Sequence, residues 1–470
     1  MALACAHAVV AGCASPPTIA EKIAYDPPRW EPLTNLEEKA ERHERQTLAM
    51  IDEAGWLLYR VAQPWSQPLS DDEKYQRSHN IADIPAWHGY LMAALAWKMA
   101  VLARDDPAGE GAAHSETMRA LDATLLRLAN AFHYAYRVTG VPGALARALL
   151  PGYTGPRLEW MTDDDMENTW KQSPHTGEWF RDDINKDHFN LAVFGLGVPL
   201  TLDRKGEIEL NSKTREALIN ALVPLVKRLV EDDYTLRTAD DRRTPFSDLG
   251  PYSGLILPNG FHRMITLHAL ASAAPYDDEL REEYEKRLSQ WTDGLEISMN
   301  LSGAWSKARG RWNRSANISD SDAQAFALAA CSLLLQEERE PHRARAQKAL
   351  HGWWSFMQDE LNAPFSLVYA AIVEEDPQAR RAQAAGIVAE LRDFPPEKFV
   401  PDGKDQEKKL VETPGILQPI HNRPIDSNYW KASAYEAMAA TEELTPNRYA
   451  GMDYLLAYWM GRYFNLLPRR

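Results

Sequence analysis

Two kinds of apolar pattern alternate along the chain. In the first, apolar residues recur every three or four positions with charge on the opposite side, the period of a helix that buries one face. Roughly 34–62, 115–138, 211–237, 277–298, 340–361 and 377–392 carry it, and they are expected to be outer helices. The second kind is apolar nearly all round and rich in Ala, Gly and aromatics, which predicts buried, inner helices. Each follows a polar or Pro-containing opening: Asp83-Ile-Pro-Ala-Trp-His-Gly-Tyr, Asp187-His-Phe-Asn-Leu-Ala, Asn259-Gly-Phe-His-Arg-Met, Asp320-Ser-Asp-Ala-Gln-Ala, Ala363-Pro-Phe-Ser-Leu-Val and Asp426-Ser-Asn-Tyr-Trp-Lys. A last helix, about 447–464, closes the chain.

Helix-start chemistry supports these boundaries. Thr34-Asn-Leu-Glu37 has capping-box spacing and is expected to open a helix through Leu58. Asp183 and Asn185 precede the apolar run from Asp187, where a helix N-terminus stabilises carboxylates through its unpaired N–H groups and its dipole. No period-two alternation runs longer than a few residues, so strands should be few. The stretch 150–186 lacks a helical pattern and is too long for an idle loop in a compact domain.

Six outer and six inner helices in alternation predict an all-α fold, an (α/α)6 toroid, as a single domain over 34–470. At the level of fold the chain resembles the six-hairpin superfamily of glycoside hydrolases, polysaccharide lyases and sugar epimerases. The resemblance rests on helix alternation and loop chemistry, not on a signature motif. It implies that successive inner helices run parallel and gather their N-terminal loops at one funnel.

The N-terminus adds a location. Val10-Ala-Gly-Cys13 after an apolar run resembles a bacterial lipoprotein signal, although no Lys or Arg precedes that run. The resemblance implies a signal peptide over 1–12, lipidation at Cys13, a tether over 13–33 and, with Ala14 after the Cys, an exported protein on the outer membrane or facing the periplasm. Cys331 is then the only thiol left, inside an Ala-rich apolar run, and no disulfide framework can form.

Charge narrows the partner. With Lys+Arg 52 against Asp+Glu 67 the net charge is −15, and no basic cluster interrupts that balance, which argues against nucleic acid. A glycan or oligosaccharide is the expected partner, beside the membrane reached through the lipid anchor. The chain has no His-Glu-x-x-His, no Gly-x-Ser-x-Gly and no phosphate-binding Gly loop. No metal or other cofactor is expected. The densest acidic run, Asp163 to Glu167, is more simply a solvated loop than a cation site, and Asp183-x-Asn185-x-Asp187 lacks the Gly and Glu of a calcium loop.

Glycoside cleavage needs two carboxyl groups, one to protonate the leaving oxygen and one to activate water or attack. Asp187 and Asp426 are the expected pair, with Asp83 and Asp183 in reserve. Trp87, His88, Tyr429 and Trp430 lie within about a turn of candidate acids and offer faces for sugar stacking, against the plainer reading of core aromatics. His262 is either a core histidine or a base, and Arg423 is either a partner of Asp426 or a uronate binder. Tyr252, His262 and Arg423 would serve a lyase instead. A non-catalytic glycan-binding lipoprotein is the alternative of another class.

Overall fold

The computed structural model describes residues 35–468 apart from 53, 59, 63–82, 107–111, 159–160, 162–169, 251–259, 299, 301–320, 359, 401–409, 414–415, 424–427, 432–433 and 439–446. The protein is mostly helical. Its main helices are α1 (Leu36–Leu48), α2 (Ile84–Asp105), α3 (Ala112–Thr139), α4 (Lys186–Arg204), α5 (Ser212–Glu231), α6 (Gly260–Ala273), α7 (Asp278–Thr292), α8 (Ser321–Gln336), α9 (His342–Met357), α10 (Ala363–Ile372), α11 (Pro377–Asp393) and α12 (Met452–Tyr463).

Burial separates them into the two expected kinds. α5 buries Thr214, Ala217, Leu218, Ala221, Leu222, Leu225, Val226 and Leu229, a single stripe at helical spacing. α7 buries Leu280, Tyr284, Leu288 and Trp291 in the same way. By contrast, α2 buries every residue from Ile84 to Val101 except Lys98, and α12 every residue from Met452 to Arg462.

The even-numbered helices pack in series: α2 on α4, α4 on α6, α6 on α8, α8 on α10, α10 on α12, and α12 back on α2. Named contacts give the directions. Asp83 meets His188 at the starts of α2 and α4, Asn190 and Gly197 of α4 meet His268 and Ser272 of α6, and Phe261 and Ser272 of α6 meet Phe326 and Gln336 of α8. At the other ends, Arg462 of α12 reaches Asp105 of α2 at 2.9 Å. These neighbours therefore run parallel.

Among the described glycines, the tightest backbone approach is that of α2 on α4. A Cβ at Gly89 would stand 1.9 Å from the Leu191 carbonyl oxygen, and one at Gly195 would stand 2.3 Å from the Gly89 Cα. Only glycine permits backbones this near.

Among the described residues strands are short, two to six residues each, and their pairs are antiparallel. β1 (Arg60–Ala62) pairs with β10 (Asn447–Tyr449), which pairs with β7 (Phe399–Val400). β2 (Ala148–Leu149) and β3 (Lys171–Gln172) flank β4 (Trp179–Arg181), so the stretch 150–186 folds in part as a small sheet leading into α4. β5 (Thr235–Arg237) pairs with β6 (Arg243–Asp248), and β8 (Leu410–Glu412) with β9 (Glu436–Met438).

Several boundaries depart from expectation: the 211–237 helix stops at Glu231 and gives way to β5, and the last helix starts at Met452, after β10. α1 is capped by Asn35, whose Oδ1 accepts from Glu37 N and Glu38 N, and it ends at Leu48, ten residues before the expected Leu58. The chain turns there because Asp52 Oδ1 captures Trp56 N at 2.7 Å and Gly55 takes a positive φ of 86°. The opening at Asp426 was expected to begin an inner helix; instead Tyr429–Lys431 is one 3₁₀ turn, followed by β9. Tyr429 N donates to Asp453 Oδ2, a tertiary bond, and Trp430 N donates to Asn428 Oδ1, a local turn. α12 takes the sixth apolar place.

Gly89→Ala is expected to lower unfolding free energy by at least about 2 kcal/mol, because the helix pair must separate to admit the methyl group. Gly386→Ala, on α11 with nothing within 4 Å of its Cβ, should be neutral or stabilising by about 0.5–1 kcal/mol. Urea denaturation of both variants checks the pair, and equal stabilities would refute the close approach.

Candidate functional site

The starts of α2 and α4 lie side by side, and a chain of charged groups joins them. Asp83 is the N-cap residue of α2, yet its side chain makes no capping bond. Its Oδ1 instead meets His188 Nε2 at 2.9 Å, with Arg147 Nη2 at 3.8 Å. At the start of α4, Asn185 Oδ1 accepts from Asp187 N and His188 N, and His188 Nδ1 faces Asn185 N at 3.4 Å, closing a capping box. Burial holds the His188 imidazole below its usual pKa, against the opposing pull of Asp83.

Asp183 is spoken for. Arg147 Nη1 reaches its Oδ2 at 2.6 Å, and Arg181 contacts both oxygens at 3.1 and 2.9 Å. Burial works to raise its pKa, but the Arg181 hydrogen bond and the two guanidinium charges prevail and hold it below the usual value. With its side chain 2% exposed, Asp183, expected among the reserve acids, is enclosed between two guanidinium groups. Asp182 is likewise engaged, by Lys171 Nζ at 2.9 Å and Ala239 N at 2.8 Å.

Asp187 stands in the first turn of α4, half-buried, with Oδ1 enclosed by protein. Its charge acts on Tyr90, a fully buried residue of α2 whose hydroxyl accepts from Asn428 Nδ2 at 3.3 Å. Burial pushes the Tyr90 phenol well above its usual range, so it stays neutral. Beyond Asn428 lies a wholly buried ion pair, Lys398 Nζ to Asp453 Oδ2 at 2.8 Å, with both side chains 0% exposed. Asp453 also accepts from Tyr429 N at 2.7 Å and Tyr454 N at 3.1 Å, and its carbonyl takes the Trp430 indole N–H. The pair thereby fixes the 428–431 turn against the start of α12.

Several expected ligand contacts are core residues. His88 is fully buried, with Nε2 on the Leu128 carbonyl at 2.9 Å and its ring against Trp56 and Phe132, and burial lowers its pKa to about 4. Tyr429 and Trp430 are fully enclosed and pack on Phe394. Trp87 is buried with its ring edge-on to Tyr90. None of these rings presents a face to a sugar, because a chain this long needs large aromatics to fill its interior.

Arg423 is fully buried and donates to the carbonyls of Gln418, Leu361 and Glu360 at 3.1, 3.1 and 2.9 Å, so it fastens a loop and does not bind a carboxylate ligand. His262 lies buried in the first turn of α6. Asp426, Tyr252, Cys13 and the acidic run at 163–167 lie outside the described residues, as do the signal and tether segments.

Sequence reasoning passed over His188, Arg147, Asn428, Lys398 and Asp453. His188 has a signal, since a histidine at the third position of a helix can complete a capping box. Asp453 has one too, as the lone carboxylate in the apolar run Met452–Met460. Arg147 and Lys398 have none, because their partners are distant in sequence.

A cavity of about 370 Å³ opens elsewhere, among Arg204, Ala274, Tyr284, Gln336, Glu337 and Arg339. It lies at the C-terminal ends of α4, α6 and α8, away from Asp83 and Asp187. Its charges are consumed locally: Arg339 pairs with Glu337 and Glu285, and Tyr284 donates to Glu337. Among the described residues no group of His, Cys, Asp and Glu is placed to hold a metal ion, and no helix is long and apolar enough to cross a membrane. No protein-family model matches the chain, and no curated protein or solved structure matches it either.

The Arg423 anchor predicts a pH dependence. Glu390 of α11 is buried beside it, and burial pushes its carboxyl up to about 8 despite the Arg423 charge, whose hydrogen bonds go to carbonyls. A folded pKa above the unfolded value of 4.5 gives stability that is complete below that value and is lost as pH rises toward 8. Wild type should therefore lose on the order of a few kcal/mol relative to Glu390→Gln as pH rises through that window. Denaturation midpoints at several pH values test this; parallel curves would show the carboxyl to be hydrated.

Proposed function

We propose that the protein is a carbohydrate-active enzyme, a glycoside hydrolase built on an (α/α)6 toroid, with Asp187 and Asp83 as its two carboxyl groups. The toroid reading is supported by the alternation of one-sided and wholly buried helices and by the packing series that returns from α12 to α2. In such an arrangement the N-terminal ends of the inner helices share one mouth, and the polar loops that precede them form its rim.

One observation carries the assignment of residues: Asp83 and Asp187 stand at the starts of two parallel helices in backbone contact, and His188, the residue after Asp187, bonds Asp83. Asp83 accepts from His188 and has Arg147 nearby, which favours its ionised form. It is the base or nucleophile, and Asp187 is the acid that protonates the leaving oxygen. Both remain partly open to solvent, unlike Asp183. A lyase acting on uronates would have used Arg423, which is instead saturated by backbone carbonyls.

The substrate is a glycan, and the enzyme works outside the cytoplasm, tethered to the outer membrane through lipid on Cys13 with its catalytic domain facing the periplasm or the exterior. The net charge of −15 suits a neutral glycan better than a polyanion.

Screening the wild type against a glycan panel should find a hydrolysed substrate. Asp187→Asn and Asp83→Asn should each lower kcat by about 10²–10⁴-fold while circular dichroism stays unchanged. Full turnover in either variant removes that residue from the mechanism. For the anchor, Cys13→Ser is expected to move the protein from the membrane to the soluble fraction of the producing bacterium; persistence in the membrane would sink the lipoprotein reading.

A further inference from the structure

We infer that His188 is a positioning residue, held as a single tautomer by the α4 capping box so that its Nε2–H fixes the Asp83 carboxylate against the start of α4. The inference rests on the reading of Asp83 and Asp187 as the working pair.

The tautomer follows from what each ring nitrogen faces. A backbone N–H can only donate, so the Nδ1 that Asn185 N approaches at 3.4 Å must present its lone pair. The ring proton is then on Nε2, where Asp83 Oδ1 accepts it at 2.9 Å. The same backbone segment fixes the ring in place: His188 N is bound by Asn185 Oδ1 at 3.1 Å. The imidazole side chain is 4% exposed and the Asp83 carboxylate 25%, so the donor is enclosed and the acceptor stays partly open to solvent.

The surrounding charges keep this state. Arg147 stands 3.8 Å from Asp83 Oδ1 and 2.6 Å from Asp183, and Arg181 holds Asp183 from the other side. Arg147 lies on the segment before β2 and Arg181 on β4, and Asp83, Asp183 and Arg147 are the charges that act on the ring. A second proton on Nδ1 would place two donors face to face at Asn185 and open the capping box. The neutral ring is thus the one form compatible with both of its bonds. Because Asp187 is the residue before His188, the bond to Asp83 ties the two carboxyl groups to one rigid helix turn.

Two substitutions separate the two bonds. His188→Asn keeps an oxygen near the Nδ1 position for Asn185 N–H but removes the donor to Asp83. His188→Gln keeps a donor near Nε2. Under the inference, His188→Asn folds with a near-native midpoint, loses kcat by on the order of 10²-fold with little change in KM, and moves the acid limb of the pH profile upward. His188→Gln recovers most of kcat. An unmoved acid limb in His188→Asn, or equal losses in both variants, overturns it.

A readout independent of activity keeps the inference separate from the hydrolase reading. Imidazole ¹⁵N shifts of wild type should report Nε2–H with bare Nδ1. The Asp83 carboxyl ¹³C titration, assigned with Asp83→Asn, should shift upward by on the order of one pH unit in His188→Asn. An Nδ1–H tautomer, or an unchanged Asp83 titration, defeats the inference even if glycans are cleaved. Absence of turnover in wild type with the expected tautomer and shift defeats the hydrolase reading alone.

Discussion

The contact of α2 with α4 through Gly89 and Gly195 sets the geometry on which the candidate site depends. Two helices whose backbones touch cannot slide or tilt without a clash, since side chains that might repack are missing at the crossing. That rigidity reaches the helix starts within two turns of Gly89. There, Asp83 and His188 meet at 2.9 Å, a distance that would not survive a shift of an ångström between the helices. Wholly buried inner helices follow from the same crowding: each is walled by inner neighbours and an outer helix, so only a sequence apolar on all sides satisfies it.

An interior so large has to place its charges with care. Removing an ion from water costs several kcal/mol unless partners replace the lost hydration. The protein meets this in three ways. Lys398 and Asp453 neutralise each other, with backbone N–H groups filling further positions on the carboxylate. Lys39 and Arg423 give their donors to backbone carbonyls, Lys39 to those of Leu391, Arg392 and Phe394 at the end of α11. Glu390 gives up its charge instead.

Helix identity was legible in the sequence because one periodicity governs burial. The alternation of striped and all-round apolar segments is visible without any tertiary information, and α3, α9 and α11 end within a few residues of the expected bounds, while α5 stops at Glu231 ahead of β5. What failed was local. Asp426-Ser-Asn-Tyr-Trp-Lys has the composition of a helix start, but it gives one 3₁₀ turn tied to Asp453 before the chain passes into β9. The candidate site was half legible. Asp83 and Asp187 stand out as carboxylates ahead of apolar runs, whereas the burial of His88, Trp87, Tyr429 and Trp430 is set by tertiary packing, and Arg147 reaches Asp183 from 36 residues away.

The contrast between two helix starts explains why Asp83 and not Asp183 retains a usable carboxylate. Asn185 caps α4 with its own side chain, so Asp183 just before it is left to bind Arg147 and Arg181. At α2 the capping position belongs to Asp83 itself, yet Pro85 follows within the first turn and removes one of the N–H groups that a cap would accept. A side-chain cap is worth about 1 kcal/mol in general and less when one donor is already missing. Turning the carboxylate away from its helix therefore sacrifices little, and the bond to a neutral, buried imidazole replaces what is lost. The proline near the helix start is thus what releases Asp83 from a structural duty, and the neighbouring helix is what gives it a direction.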